Sequence, residues 1–171
     1  MSLESIPVSS FMTRIVKTEY EDQNIQAVCK TMNENNIGSV IVMKAFDGSS
    51  SSGKPVGIIT ERDVVRIIGS LQPSLLRIPI GELMSKPLIT LSTNHSIKDA
   101  IQTMQLKNIR RLPIIEKENI EGIITDKDIL KAIMNSQISV EDLLSNNALI
   151  ENHRLIFDHY GEHLLNDILQ R

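Results

Sequence analysis

Gly57-Ile58-Ile59-Thr60-Glu61-Arg62-Asp63 returns sixty-five residues later as Gly122-Ile123-Ile124-Thr125-Asp126-Lys127-Asp128. A stretch written twice, with glycine, threonine and aspartate at the same places, predicts an internal duplication. Backwards from it, Phe11-Met12-Thr13 matches Leu83-Met84-Ser85, and Asn36-Ile37-Gly38-Ser39-Val40 matches Asn108-Ile109-Arg110-Arg111-Leu112, both seventy-two residues apart. The offset falls by seven across residues 47–54 (Asp-Gly-Ser-Ser-Ser-Ser-Gly-Lys), which carry no apolar surface to bury and read as a flexible loop where an insertion costs little. The first repeat therefore spans residues 8–69, the second 78–137, and an unrepeated tail covers 139–171.

Each repeat changes its hydrophobic period in the same order. Ile25, Val28, Cys29 and Met32 share one helical face, and Ile97, Ala100, Ile101 and Met104 repeat it. Asp22 and Asn94, three residues ahead of those faces, are expected as N-caps. Residues 39–44 and 55–59 in the first repeat, and 112–115 and 120–124 in the second, are short and rich in β-branched side chains, as strands are. A second amphipathic helix follows each signature threonine, with Val64, Val65, Ile67 and Ile68 in one copy and Ile129, Leu130, Ile133 and Met134 in the other. The order helix, strand, strand, helix predicts an α/β (α+β) fold, each repeat a small sheet with flanking helices.

Composition bounds the function. With 171 residues and 41% hydrophobic content the chain can bury a core, and its apolar runs are too short for a membrane span. One cysteine excludes an intramolecular disulfide, and the first residues lack a basic stretch followed by an apolar core, so the expected location is the cytoplasm. Residues 1–137 carry sixteen Lys plus Arg against fifteen Asp plus Glu, and the tail carries two against six, which offers no footprint for a nucleic-acid backbone.

The order of elements, the Met-Thr/Ser openings, the Leu112-Pro113-Ile114 strand and both Gly-hydrophobic-x-Thr-x-x-Asp signatures resemble the CBS domain, named after cystathionine β-synthase, over residues 8–137. The resemblance implies a tandem pair related by a pseudo-twofold axis, a Bateman module. It further implies clefts that hold AMP, ADP, ATP, S-adenosylmethionine or NAD, no chemistry of the module's own, and a signal passed to a partner. Such modules commonly pair into discs of four domains, so a homodimer is expected.

The residues support that chemistry on their own terms. A threonine at a strand end and an aspartate in the first helical turn lie on one side; the carboxylate can accept from ribose hydroxyls, while the threonine hydroxyl and the helix N-terminal N–H groups suit a phosphate. Asp63 and Asp128 are the expected ribose residues, with Thr60 and Thr125 beside them. The ordinary alternative is that threonine caps the helix and aspartate complements its dipole. Arg110 and Arg111 offer forked guanidinium donors for phosphate where the first repeat has Gly38 and Ser39, so the two clefts are expected to be unequal. Strand alternation turns only one arginine into a given cleft, with Arg111 favoured.

Because the family's clefts draw on both repeats, one is expected to combine Thr125 and Asp128 with Thr13, Ile15, Gly38 and Ser39. Its mirror combines Thr60, Asp63, Ser85 and Pro87 with one or both arginines. With no tryptophan and five Phe plus Tyr in all, adenine must rest on aliphatic faces, those of Ile15, Ile58, Pro87 and Ile123.

The tail opens with Ser139-Val140-Glu141-Asp142, a capping-box pattern, and continues with Ile156, Tyr160, Leu164, Leu165 and Ile168 at helical spacing. That stripe needs a surface: its own module, a second copy, or an unidentified protein target. His159 and His163 stand one turn apart, yet no Cys or His-Glu-x-x-His pattern accompanies them, and no metal is expected. Cys29 lies on a core stripe and reads as a small hydrophobe. No Gly-rich phosphate loop and no nucleophile with a base at a known spacing is present, so no catalytic residue is expected. A scaffold whose clefts are vestigial, and whose tail binds a partner, is the alternative to a ligand sensor.

Overall fold

The computed structural model describes residues 4–46, 53–70 and 73–135. The tail, with its expected stripe and its histidine pair, lies outside the described residues.

The leading helices are α1 (Ile25–Asn35) in the first repeat and α4 (Ile97–Lys107) in the second. They bury Ile25, Val28 and Met32 in one case, and Ile97, Ala100, Ile101 and Met104 in the other, as the spacing predicts. Cys29 is half-buried against the first core, and burial pushes its thiol pKa up. The expected caps are corrected. Asn24 Oδ1 accepts from the N–H groups of Gln26 and Ala27 at 3.0 and 3.1 Å, and Ser96 Oγ accepts from Asp99 N–H at 3.1 Å. Asp22 and Asn94 lie two residues too early, because a capping side chain reaches the orphan N–H groups only from the position next to the first helical residue. Both helices end on an asparagine in the left-handed region, Asn36 at φ 50° and Asn108 at φ 52°, a conformation this side chain tolerates better than most.

Strands β2 (Ser39–Ala45) and β3 (Gly53–Thr60) pair antiparallel, with Ser39 opposite Thr60, and β1 (Thr18–Tyr20) adds in parallel along β2. Gly53 and Lys54, read from the sequence as loop, open β3: their backbones pair with Ala45 and Lys44, so glycine and lysine serve the ladder rather than a turn. In the second repeat β4 (Arg111–Glu116) and β5 (Asn119–Thr125) form a two-stranded sheet, and a parallel bridge from Leu91 to Ile114 stands where β1 stands in the first. Lys117 and Glu118 link β4 to β5 with φ of 46° and 70°.

The second helices are α2 (Glu61–Gly69) and α5 (Asp126–Asn135). On α2 the expected stripe is corrected: Ile67 is buried and Val64 half-buried, but Val65 and Ile68 are 70% and 58% exposed. Four apolar residues within five positions span more of a helix than one packing face covers.

The opening segments of the two repeats are exchanged. Val8 of the first repeat donates its N–H to the carbonyl of His95 at 2.8 Å, and Ile97 donates to the carbonyl of Ile6 at 2.8 Å. In return Ile80, which opens the short helix α3 (Ile80–Leu83) of the second repeat, donates to the carbonyl of Gln23 at 2.8 Å, and Gly81 donates to that of Glu21 at 2.9 Å. The swap continues along each opening segment: Thr13 exchanges both backbone bonds with Ile123 at 2.9 Å, and Ser85 exchanges both with Ile58 at 2.9 and 3.2 Å.

Packing accordingly divides the chain into two compact units that differ from the repeats. One holds residues 4–12, 93–112 and 124–135; the other holds 13–46, 53–70, 73–92 and 113–123. The second unit's core joins Ile25, Val28, Met32, Val40, Val42, Ile59 and Ile67 of the first repeat to Ile80 of the second. In the first unit Val8 is buried, as are Ile97, Ala100, Ile101, Ile129 and Ala132 of α4 and α5, which pack on each other.

Candidate functional site

Strand β3 runs straight into α2 through Thr60, which stays extended at φ −115°, ψ 165° and so caps the helix. Its N–H and its hydroxyl both donate to Asp63 Oδ2, at 2.9 and 2.7 Å, while its Oγ1 accepts from Asp63 N–H at 3.4 Å. The second copy reproduces this: Thr125 N–H and hydroxyl donate to Asp128 Oδ2 at 3.0 and 2.6 Å, and Thr125 Oγ1 accepts from Asp128 N–H at 3.4 Å. The ordinary capping role weighed from the sequence is therefore present in both copies.

Capping alone does not distinguish these residues. Ser96 and Asp99 make the same reciprocal box at the start of α4, with Asp99 Oδ2 accepting the Ser96 N–H and hydroxyl at 2.8 Å each. The Ser96 N–H first, and its hydroxyl second, hold the Asp99 carboxyl below its usual range. Burial is what differs: Asp63 and Asp128 are the buried charged or polar side chains among the described residues, at 9% and 8% exposure, whereas Asp99 is partly open. A carboxylate withdrawn from water needs partners for both oxygens. Oδ2 has them from threonine. Oδ1 of Asp63 accepts from an Arg66 guanidinium N–H at 3.1 Å, and among the described residues Oδ1 of Asp128 has the Lys131 ammonium at 3.7 Å. Sequence reasoning missed Arg66 and Lys131; their signal was a basic residue three positions after each signature aspartate.

The other expected site residues fall as follows. The Gly38 carbonyl accepts from Glu61 N–H at 3.1 Å, as the Arg110 carbonyl accepts from Asp126 N–H at 3.1 Å, so the first N–H of each helix is engaged within its own repeat. Ser39 lies opposite Thr60, Ser85 is joined to Ile58, and Thr13 is joined to Ile123. Gly57 permits the Ser85 segment to approach: a Cβ there would lie 2.3 Å from Met84 Sδ and 3.0 Å from the Ser85 carbonyl oxygen. Pro87 is exposed, Ile15 is 81% exposed, Arg110 is exposed and Arg111 is half-buried. Among the described residues no group of three His, Cys, Asp or Glu could hold a metal, and no helix is long and apolar enough to cross a membrane.

The model of the CBS domain family matches residues 8–70 and 80–135, and the chain belongs to that family as a tandem pair. Among curated relatives it is 31% identical over 144 residues to an uncharacterized protein of Methanocaldococcus jannaschii, covering 77% of this chain but only 32% of that relative. It is also 31% identical to the CBS domain-containing protein YhcV of Bacillus subtilis, over 76% of this chain and 87% of the relative. An uncharacterized conserved protein from Pyrococcus horikoshii shares the fold at 26% identity with a TM-score of 0.68, covering 81% of this chain and 99% of that one. Two further solved structures share the fold at lower identity. The CBS domain pair of protein MJ0100, in complex with 5′-methylthioadenosine and S-adenosyl-L-methionine, is 21% identical with a TM-score of 0.65 over 77% of this chain and 98% of that one. CBSX2, in complex with AMP, is 18% identical with a TM-score of 0.65 over 78% of this chain and all of that one.

Proposed function

We propose that this chain is a non-enzymatic regulatory module that senses an adenosine-containing ligand and passes its occupancy to a partner protein. The observation that carries the reading is the pair of withdrawn carboxylates, Asp63 and Asp128, each fixed at a strand-to-helix junction in a matching framework. A buried carboxylate with one oxygen saturated by its own threonine keeps the other oxygen as an acceptor, and adjacent ribose hydroxyls are the donors that suit it. Family members solved with AMP, and with S-adenosylmethionine and 5′-methylthioadenosine, support the ligand class.

In this reading Thr60 and Thr125 flank the sugar, Arg111 in preference to Arg110 receives phosphate, and Ile15, Ile58, Pro87 and Ile123 offer aliphatic faces to adenine. Thr13, Gly38, Ser39 and Ser85 complete the set. AMP, ADP, ATP, S-adenosylmethionine and NAD are the candidate ligands, the chain works as a cytoplasmic homodimer, and no step of catalysis is assigned to it. Signalling requires that the ligand favour one of two states, which the partner or the dimer surface then reads.

One observation favours the scaffold alternative: in the first repeat both oxygens of Asp63 are already engaged, by Thr60 and by Arg66. A melting-temperature screen against the five ligands separates the two readings, because a ligand selective for the folded state raises stability with its saturation. A rise with any of them is the expected result; none with all five would leave the scaffold.

A further inference from the structure

Resting on the ribose reading just given, we infer that the basic residue one helical turn after each signature aspartate ranks the two carboxylates, so that Asp128 accepts a ribose before Asp63 does. The two junctions match in every threonine contact to within 0.1 Å: N–H to Oδ2 at 2.9 and 3.0 Å, hydroxyl to Oδ2 at 2.7 and 2.6 Å, return bond at 3.4 Å in both. They match in burial as well.

The difference is confined to Oδ1. On Asp63 it accepts a charged N–H from Arg66 at 3.1 Å, a directional bond from a planar group whose donor geometry suits a carboxylate. On Asp128, among the described residues, no hydrogen bond reaches Oδ1; the Lys131 ammonium stands at 3.7 Å, near enough for attraction but outside bonding distance. A ribose hydroxyl must displace or share the Arg66 bond at the first site, whereas at the second, among the described residues, it competes with the looser Lys131 contact.

Arg66 and Lys131 are both 70% exposed, so each ion pair is weakened by solvent. Their difference is therefore a modest tuning, in the range of about two- to fivefold in affinity for an exposed pair. Each residue is the other's replacement at the matching position, and exchanging them should exchange the ranking.

Calorimetric titration with adenosine tests this, since a probe without phosphate gives Arg66 no anion to grasp. Asp128→Asn leaves the Asp63 carboxylate alone and Asp63→Asn leaves Asp128 alone, the amide oxygen still accepting the threonine bonds; circular dichroism checks that both variants fold. Adenosine is expected to bind Asp63→Asn more tightly than Asp128→Asn. Adding Arg66→Lys to Asp128→Asn should tighten binding about two- to fivefold, and adding Lys131→Arg to Asp63→Asn should weaken it by a similar factor. Unchanged affinities, or shifts of opposite sign, overturn the ranking while leaving the sensor reading intact. Absence of adenosine and AMP binding by the native chain overturns both.

Discussion

The N–H of Val8 meets the carbonyl of His95 at 2.8 Å, so the opening turn of the first repeat is fastened ahead of the leading helix of the second. Ile80 does the converse with Gln23, and its side chain is fully buried in a core whose other buried residues come from the first repeat. Ile80→Ala should therefore cost about 2–5 kcal/mol, as truncation of buried aliphatic side chains does. Hydrogen exchange should quicken along α1, forty-five or more residues away in sequence. Loosening confined to α3 would mean that the exchanged segment is merely attached.

Asp128→Ala removes two things at once. Loss of the capping box costs about 0.5–2 kcal/mol of stability, and loss of a charge-assisted ribose contact weakens nucleotide binding about ten- to a hundredfold. Asp99→Ala is the internal control, because it breaks an equal box at Ser96. The expected outcome is a similar fall in urea midpoint for both variants, with the affinity for the best nucleotide reduced only in Asp128→Ala. Equal affinities in the two would remove Asp128 from the ligand site.

Asp99 also gives a pH dependence with a definite sign. Its carboxyl is held below the ordinary 3.8 by bonds from Ser96, so its folded form binds the proton less readily than its unfolded form. The contribution to stability is complete above that ordinary value and disappears as pH falls through the lowered one. Urea unfolding of native protein and of Asp99→Asn should differ most near neutral pH and converge in strong acid; a gap that is constant with pH would assign the loss to packing.

Gly57→Ala introduces a Cβ 2.3 Å from Met84 Sδ, so the Ser85–Ile58 pairing must open or Met84 must move. Overpacking of this kind costs about 1–3 kcal/mol. Met84→Ala in the same chain should recover part of that loss, and the coupling between the two substitutions, read from thermal or urea unfolding, should exceed about 0.5 kcal/mol. Additive effects would place the strain in the backbone instead.

Periodicity revealed both leading helices and four strands because each spans enough residues to alternate or to turn visibly. Thr18-Glu19-Tyr20 escaped notice: three residues carry no period, and this strand exists only because it finds β2 alongside. The caps were misplaced because Asp, Asn and Ser cluster ahead of both helices, and only backbone conformation selects among them. The signature aspartates were legible as a pair, but the competition for their second oxygen was not, since it depends on whether a basic side chain three residues on closes to 3.1 Å or stops at 3.7 Å. The reciprocal crossing of the opening segments left no trace in a sequence that shows two alike halves and no indication of which half each beginning serves.

That crossing bears on how such a chain could have arisen. One ancestral copy, alone, would carry a beginning that fits in front of another copy's helix and a core still lacking its own Ile80 counterpart. It could have been completed only by meeting its twin, each donating its first turn to the other. Tandem fusion would hold such an assembly in one polypeptide, and a chain severed between the halves should still reassemble from its pieces.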